Sequence, residues 1–232
     1  MRPYSVQPSP SDDSVWAAFP GFPGKIVRMT RGPNPPQTCV FEAYNVPYDN
    51  PAAPGVRGYL PRGIDVDRNG LVWTALAGSG HFASFDRTKC KVLSGPTATG
   101  DHCAEGWTFY PLPGPGFKGV PGTSTEWAYY NWVDKHDTFG LGANIPVANG
   151  TNSDSLMVLN PATKTLTTLR VPYPIGFYQR GLDGRIDDPK SGWKGRGLWA
   201  GNGTRTPWHM ETGKGQLSTI THFQIRPDPL AR

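Results

Sequence analysis

The 232-residue sequence predicts an all-β fold, a β-propeller of about four blades of four antiparallel strands each, forming part of a larger propeller. Three observations carry this expectation. Glycine (29) and proline (25) are abundant, yet 8 Trp, 9 Tyr and 10 Phe supply large apolar surfaces that a disordered chain lacks. No long apolar stripe at helical spacing is present, and Pro or Gly interrupts most windows. Short apolar strands recur instead in a fixed order of four, separated by tight turns.

The first copy reads as residues 14–18 (SVWAA), 25–29 (KIVRM) and 38–44 (TCVFEAY), running into Val46 and Pro47. It starts at its second strand, because residues 1–13 are polar and Pro-rich; the stretch around Tyr4 and Val6 is a candidate outer strand that would close the ring. The second copy is the clearest: residues 61–67 (PRGIDVD), an Asn69-Gly70 turn suited to a tight hairpin, then 71–75 (LVWTA), 81–85 (HFASF) and 106–110 (GWTFY). The third copy gives residues 126–133 (EWAYYNWV), a turn at 134–137, then 138–141 (TFGL), 155–159 (SLMVL) and 165–171 (TLTTLRV). The last gives residues 175–178 (IGFY), 197–200 (GLWA) and 219–225 (TITHFQI).

Trp16, Trp73 and Trp199 fall at corresponding second-strand positions, so they are expected to pack between neighbouring sheets. Pro47, Pro113 and Pro172 follow three of the fourth strands, where the chain crosses to a new blade. A β-sandwich would need neither landmark. The organisation that follows is a flexible segment 1–12, blades at about 13–47, 59–113, 125–172 and 174–226, and a tail 227–232. An incomplete ring would expose apolar blade faces at both ends and favour self-association.

Net charge is +5, but Lys and Arg are dispersed without a basic run or stripe, so no nucleic-acid surface is expected. No apolar stretch approaches the ~18–20 residues of a membrane span. The first residues lack the apolar run of a secretory signal. A periplasmic or secreted location is therefore expected only where the full-length protein carries such a signal.

Residues 61–73 (PRGIDVDRNGLVW) resemble the blade consensus of streptogramin B (virginiamycin B) lyase-like propellers: Pro-x-Gly-Ile, a polar turn with Gly, then Val/Ile-Trp. Residues 24–29 (GKIVRM) are similar to the third strand of that family. Insertions near 86–105, 112–124, 134–153 and 202–216 depart from its compact repeat. The resemblance implies a propeller fold. It also implies a magnesium-dependent lyase that opens a cyclic depsipeptide by elimination, with a His base and acidic and His metal ligands at the channel mouth. Arg62, however, fills the variable slot of Pro-x-Gly-Ile. The five histidines, His81, His102, His136, His209 and His222, show no metal-ligand spacing. The lyase site is not carried over.

Asp65, Asp67, Asn69 and Gly70 imitate the start of a calcium loop, but Leu76 stands where its bidentate Glu belongs, so a hairpin turn is expected. Asp183, Asp187 and Asp188 in one polar stretch are the better candidates for a cation, Mg or Ca. Positions on or beside inner strands that would line the channel mouth include Arg62, Glu126, Tyr129, Tyr130, Arg180 and Asp183, a mixture of both charges with aromatic faces. Asn149-Gly-Thr151 and Asn202-Gly-Thr204 match the glycosylation pattern as a by-product of Asn-Gly turns. Cys90 and Cys103 flank an insertion and are expected to form a disulfide, leaving Cys39 over. The leading functional expectation is a non-catalytic platform for a small polar ligand or a protein partner. The alternatives are a metal-dependent lyase or hydrolase, and a purely structural module of a larger protein.

Overall fold

The structure, a computed structural model, describes residues 2–49, 57–172, 175–202 and 218–226. Four antiparallel sheets follow one another along the chain, and in each the strands sit side by side in sequence order. The first holds β1 (Ser5–Pro8), β2 (Val15–Phe19), β3 (Lys25–Thr30) and β4 (Val40–Asn45); the second β5 (Pro61–Val66), β6 (Val72–Leu76), β7 (His81–Phe85) and β8 (Trp107–Pro111). The third holds β9 (Asn131–Asp134), β10 (Ile145–Gly150), β11 (Ser155–Asn160) and β12 (Thr165–Arg170); the fourth β13 (Gln179–Ile186), β14 (Arg196–Asn202) and β15 (Thr219–Phe223). The leading strands β1, β5, β9 and β13 pack against one another in succession, so each sheet radiates from a common centre. This is the β-propeller arrangement that the repeat predicts.

The hairpin at 67–70 forms as its residues require. The Asp67 carboxylate accepts the backbone N–H groups of Asn69 (2.8 Å) and Leu71 (2.9 Å), and Gly70 takes the positive φ (85°) that closes the turn. Three apolar layers then lie between successive sheets. Trp16, Ile26 and Tyr44 meet Ile64, Val66 and Phe85. Trp73 and Phe82 meet Val133, Ala148 and Met157. Trp132, Val147 and Leu156 meet Phe177, Leu182 and Leu198. In β2 only alternate residues are buried, whereas β6 and β7 are buried throughout, because the second sheet is covered on both faces.

Three expectations give way here. The first sheet does have an inner strand within residues 1–12: β1 pairs with β2, Ser5 opposite Ala18 and Pro8 opposite Val15. The stretch around Tyr4 and Val6 thus leads its blade rather than closing another. In the third sheet the second strand is β10, not residues 138–141. The buried Asp134 carboxylate gathers the N–H groups of His136, Thr138 and Phe139, and Asp137, Gly140, Gly142 and Asn144 all adopt positive φ. That backbone cannot extend as a strand. The leading strands are also shifted: residues 126–130 and 175–178 run up to β9 and β13 without joining their ladders.

The structure joins Cys90 to Cys103 in a disulfide, with Cys39 free. The loop they close lies along the edge of the first sheet: Asn45 N–H donates to the Gly100 carbonyl (2.8 Å) and the Asn45 amide to Asp101 (2.9 Å). Covering an edge strand in this way removes a site for foreign strand pairing, and closing a loop of this size contributes about 3 kcal/mol under oxidising conditions.

Candidate functional site

Each sheet delivers side chains to the same end of the central strands. Tyr4 precedes β1, Arg62 lies on β5, Tyr129 and Tyr130 precede β9, and Tyr178 and Arg180 flank the start of β13. They converge. The Arg62 guanidinium lies over the rings of Tyr129 (4.7 Å), Tyr4 (4.9 Å) and Trp127 (5.9 Å) and donates to the Tyr129 hydroxyl at 3.1 Å. Arg180 lies 5.7 Å from both the Tyr129 and the Tyr178 rings. Tyr4 meets Tyr129 edge-on at 5.4 Å and tilts against Tyr130 at 6.1 Å.

The close approach of β5 to the segment entering β9 explains the glycine of the Pro-x-Gly-Ile motif. A Cβ on Gly63 would lie 2.5 Å from Asn131 Oδ1 and 2.9 Å from the Tyr130 Cα, so only glycine fits. Tyr129 is held from behind. Its backbone N–H and that of Tyr130 both donate to Asn149 Oδ1 (2.8 and 2.6 Å), while the Asn149 amide donates to the Thr151 hydroxyl. Asn149 is fully buried and therefore closed to glycosylation, but Asn149 and Gly150 end strand β10 and do not form the turn expected of them; the second match, at 202–204, extends outside the described residues.

The electrostatics of the cluster centre on Tyr129. Burial pushes its phenol up, but hydrogen bonds from the Tyr4 and Tyr178 hydroxyls and the charges of Arg62 and Arg180 outweigh that, and the phenol is held below its ordinary value. Tyr4 moves the other way, raised by burial and by its bond to Tyr129. Among the described residues neither Arg62 nor Arg180 has a carboxylate partner. Arg28, Arg57, Arg87 and Arg185 all do. The Nε atoms of Arg62 and Arg180 are buried without a hydrogen-bond partner, as are both amide atoms of Gln179, whose side chain is fully buried.

The other expected site residues sit elsewhere. Glu126 is buried and its Oε1 accepts the N–H groups of Trp127 (3.0 Å) and Asn152 (2.8 Å), bracing the approach to β9. Asp183 lies on β13 opposite Trp199 and lines a shallow depression with Gln7, Tyr130 and Ile220. The acidic stretch does not converge on a cation. Asp183 belongs to the strand, Asp187 pairs with Arg185 at 2.7 Å, and Asp188 accepts the Lys190 N–H and the Ser191 hydroxyl at the start of a 3₁₀ turn. Among the described residues no three His, Cys, Asp or Glu side chains gather as a metal site.

The histidines also lie apart from the mouth. His81 is buried between Ser79 and the Gly122 carbonyl, His102 packs on Tyr44, His136 sits beside Arg68 and His222 stacks on Trp199; His209 lies outside the described residues. Sequence reasoning missed Tyr4, Trp127 and Tyr178. The signal available for them was positional: an aromatic residue shortly before each leading strand.

No family model and no curated protein matches this sequence. The fold is similar to that of virginiamycin B lyase from Staphylococcus aureus, at 18% identity and a TM-score of 0.51, over 97% of this chain and 55% of that one. It is also similar to hydrazine synthase of Kuenenia stuttgartiensis (10% identity, TM-score 0.53, 96% of this chain and 46% of that one). A protein from Lactobacillus plantarum matches at 15% identity and a TM-score of 0.51, over 100% of this chain and 58% of that one. The chain thus spans about half the length of these structures. At such identities the likeness is one of fold. It agrees with the blade consensus at residues 61–73 and does not assign an activity.

The magnesium that the lyase resemblance implies does not fit this mouth. Two guanidiniums face it, and among the described residues no His lies in the cluster. A divalent cation would meet positive charge where it needs oxygen ligands.

Proposed function

We propose that this chain is a propeller binding module that holds a small polar ligand at the mouth formed by the leading strands. The observation that carries the reading is the convergence of Arg62 and Arg180, from different sheets, on the Tyr129 ring with no carboxylate among the described residues to neutralise either. Guanidiniums held by ring faces keep their charge while exposing hydrogen-bond donors to a guest. In this reading Arg62, Tyr129 and Arg180 contact the ligand and Tyr130 walls the site. Glu126 holds the loop, and Asp183 lies beyond the cluster.

Trp127 provides the readout, since its ring is 40% exposed and lies close to Arg62. Titration of a panel of small polar compounds is expected to change tryptophan fluorescence, with the change lost in Trp127→Phe and weakened about tenfold or more in Arg62→Ala. Ligands that bind Arg62→Ala and Arg180→Ala as tightly as the parent protein would place the site elsewhere.

A further inference from the structure

Resting on that reading, we infer that the mouth selects oxyanions, and that its ligand carries a carboxylate or phosphate group beside a planar ring. Three observations converge on this chemistry. First, the two guanidiniums are spared from the ion pairing that occupies Arg28, Arg57, Arg87 and Arg185. Both lie against one phenol ring, 4.7 and 5.7 Å from its centre, so two positive charges meet at one place. Arginine's planar fork matches a carboxylate or phosphate with two parallel N–H bonds, and such charge-assisted bonds are about twice as strong as neutral ones.

Second, the polar groups around the mouth are left wanting. The Nε–H groups of Arg62 and Arg180 are buried with no acceptor. A buried polar group without a partner is costly, and a ligand that supplies one removes the cost. Both atoms are N–H donors, which call for acceptor oxygens.

Third, the surroundings are aromatic. The rings of Tyr4, Tyr129 and Trp127 lie around the half-buried Arg62, and the lower local dielectric strengthens its attraction for an anion. The exposed ring of Trp127, stacked on Tyr129 with an interplanar angle of 24°, extends the wall outward as a flat surface for a second ring. The Tyr129 phenol is held down first by its bonds with Tyr4 and Tyr178, and the charges of Arg62 and Arg180 act in the same direction.

The test uses calorimetric titration of the whole chain with benzoate, the neutral isostere benzamide, the cation benzamidine, and inorganic phosphate. Benzoate is expected to bind at least tenfold more tightly than benzamide, with benzamidine weakest, and raising salt should weaken benzoate but not benzamide. Phosphate alone binding as well as benzoate would assign the site to free oxyanions; benzoate binding better would assign it to ring-bearing carboxylates. The first outcome keeps oxyanion selection and overturns the ring; the second supports both parts of the inference. Arg62→Gln and Arg180→Gln should each lower benzoate affinity about tenfold or more, and Arg62→Lys less. The salt dependence of the unsubstituted chain keeps the test open if a variant misfolds. Benzamide or benzamidine matching benzoate, while Trp127→Phe abolishes the fluorescence change, would overturn oxyanion selectivity and leave the mouth as the binding site. Benzoate binding that neither arginine variant alters, or no binding by any probe, would overturn the site itself.

Discussion

Trp73 and Trp199 occupy the second strands of their sheets and point the same way along the propeller, yet one is 1% exposed and the other 37%. Trp73 faces the third sheet and is enclosed by Val133, Ala148 and Met157. Trp16, at 2% exposure, faces the second sheet in the same manner. Among the described residues no such sheet lies before Trp199; its indole stacks on His222 of its own sheet at 3.8 Å, nearly parallel. The first sheet presents the complementary case, with Val6 and Phe41 left 52% and 66% exposed on its outer face. A blade residue's burial is therefore set by the next blade and not by its own strand. In a repeat fold each unit completes its neighbour's core.

The largest consequence falls on Trp73. Trp73→Ala removes a buried aromatic side chain from a layer that cannot collapse around the gap, and is expected to cost about 3–5 kcal/mol. The shift in urea midpoint measures it, and a cost below about 1 kcal/mol would break the contrast with the uncovered face.

His81 sharpens the same comparison through pH. It lies in β7, in the sheet covered on both faces, and its ring is wholly buried. Nε2 donates to the Gly122 carbonyl at 2.6 Å, and the Ser79 hydroxyl, 2.9 Å away, donates to Nδ1. Burial disfavours the charged ring, lowering its pKa from 6.5 to about 4 despite the Gly122 bond. The folded value lies below the unfolded one, so the neutral ring contributes stability fully above pH 6.5 and loses it as pH falls towards 4. The loss is of order 3 kcal/mol across that window. Unfolding measured at steps between pH 7 and 4 should fall more steeply for the parent than for His81→Gln, after correction for the stability that the substitution itself removes.

The four-strand order, the Asp67–Gly70 hairpin and the packing of Trp16 and Trp73 between sheets were legible because they rest on local rules: alternation, turn chemistry and the size of Trp; the same packing expected of Trp199 does not hold, since its ring is 37% exposed. The strand β1 was not legible, since four residues bounded by Pro3 and Pro8 carry little local strand signal and are ordered by pairing with β2 and packing on β5. Residues 138–141 looked strand-like by composition, but the buried Asp134 carboxylate folds them into a loop. At the mouth, Arg62, Tyr129 and Arg180 were readable from their place at the heads of inner strands. Tyr4 and Tyr178 lie one residue outside β1 and β13, where strand patterning gives no hint of direction. Glu126 and Asp183 were read by charge. Their destinations depend on backbone N–H groups of Trp127 and Asn152, and on which face of β13 looks outward.

The smallest expected effect, and the sharpest check of the comparison, belongs to Trp199. Among the described residues its ring stacks on His222, and its Nε1 donates to the exposed Asp187 carboxylate at 3.3 Å. The stack is built into the sheet: Gly197 lies beneath the His222 ring, where a Cβ would come within 1.9 Å of Nε2. Truncation to Ala removes one aromatic pair and one exposed hydrogen bond but opens no cavity, so Trp199→Ala is expected to cost about 1 kcal/mol or less. Urea midpoints at several protein concentrations decide the matter. A small, concentration-independent loss leaves the fourth sheet's far face bare in solution. A loss as large as that of Trp73→Ala, growing as the protein is concentrated, would mean that another sheet covers Trp199 there, and the difference between the two tryptophans would vanish.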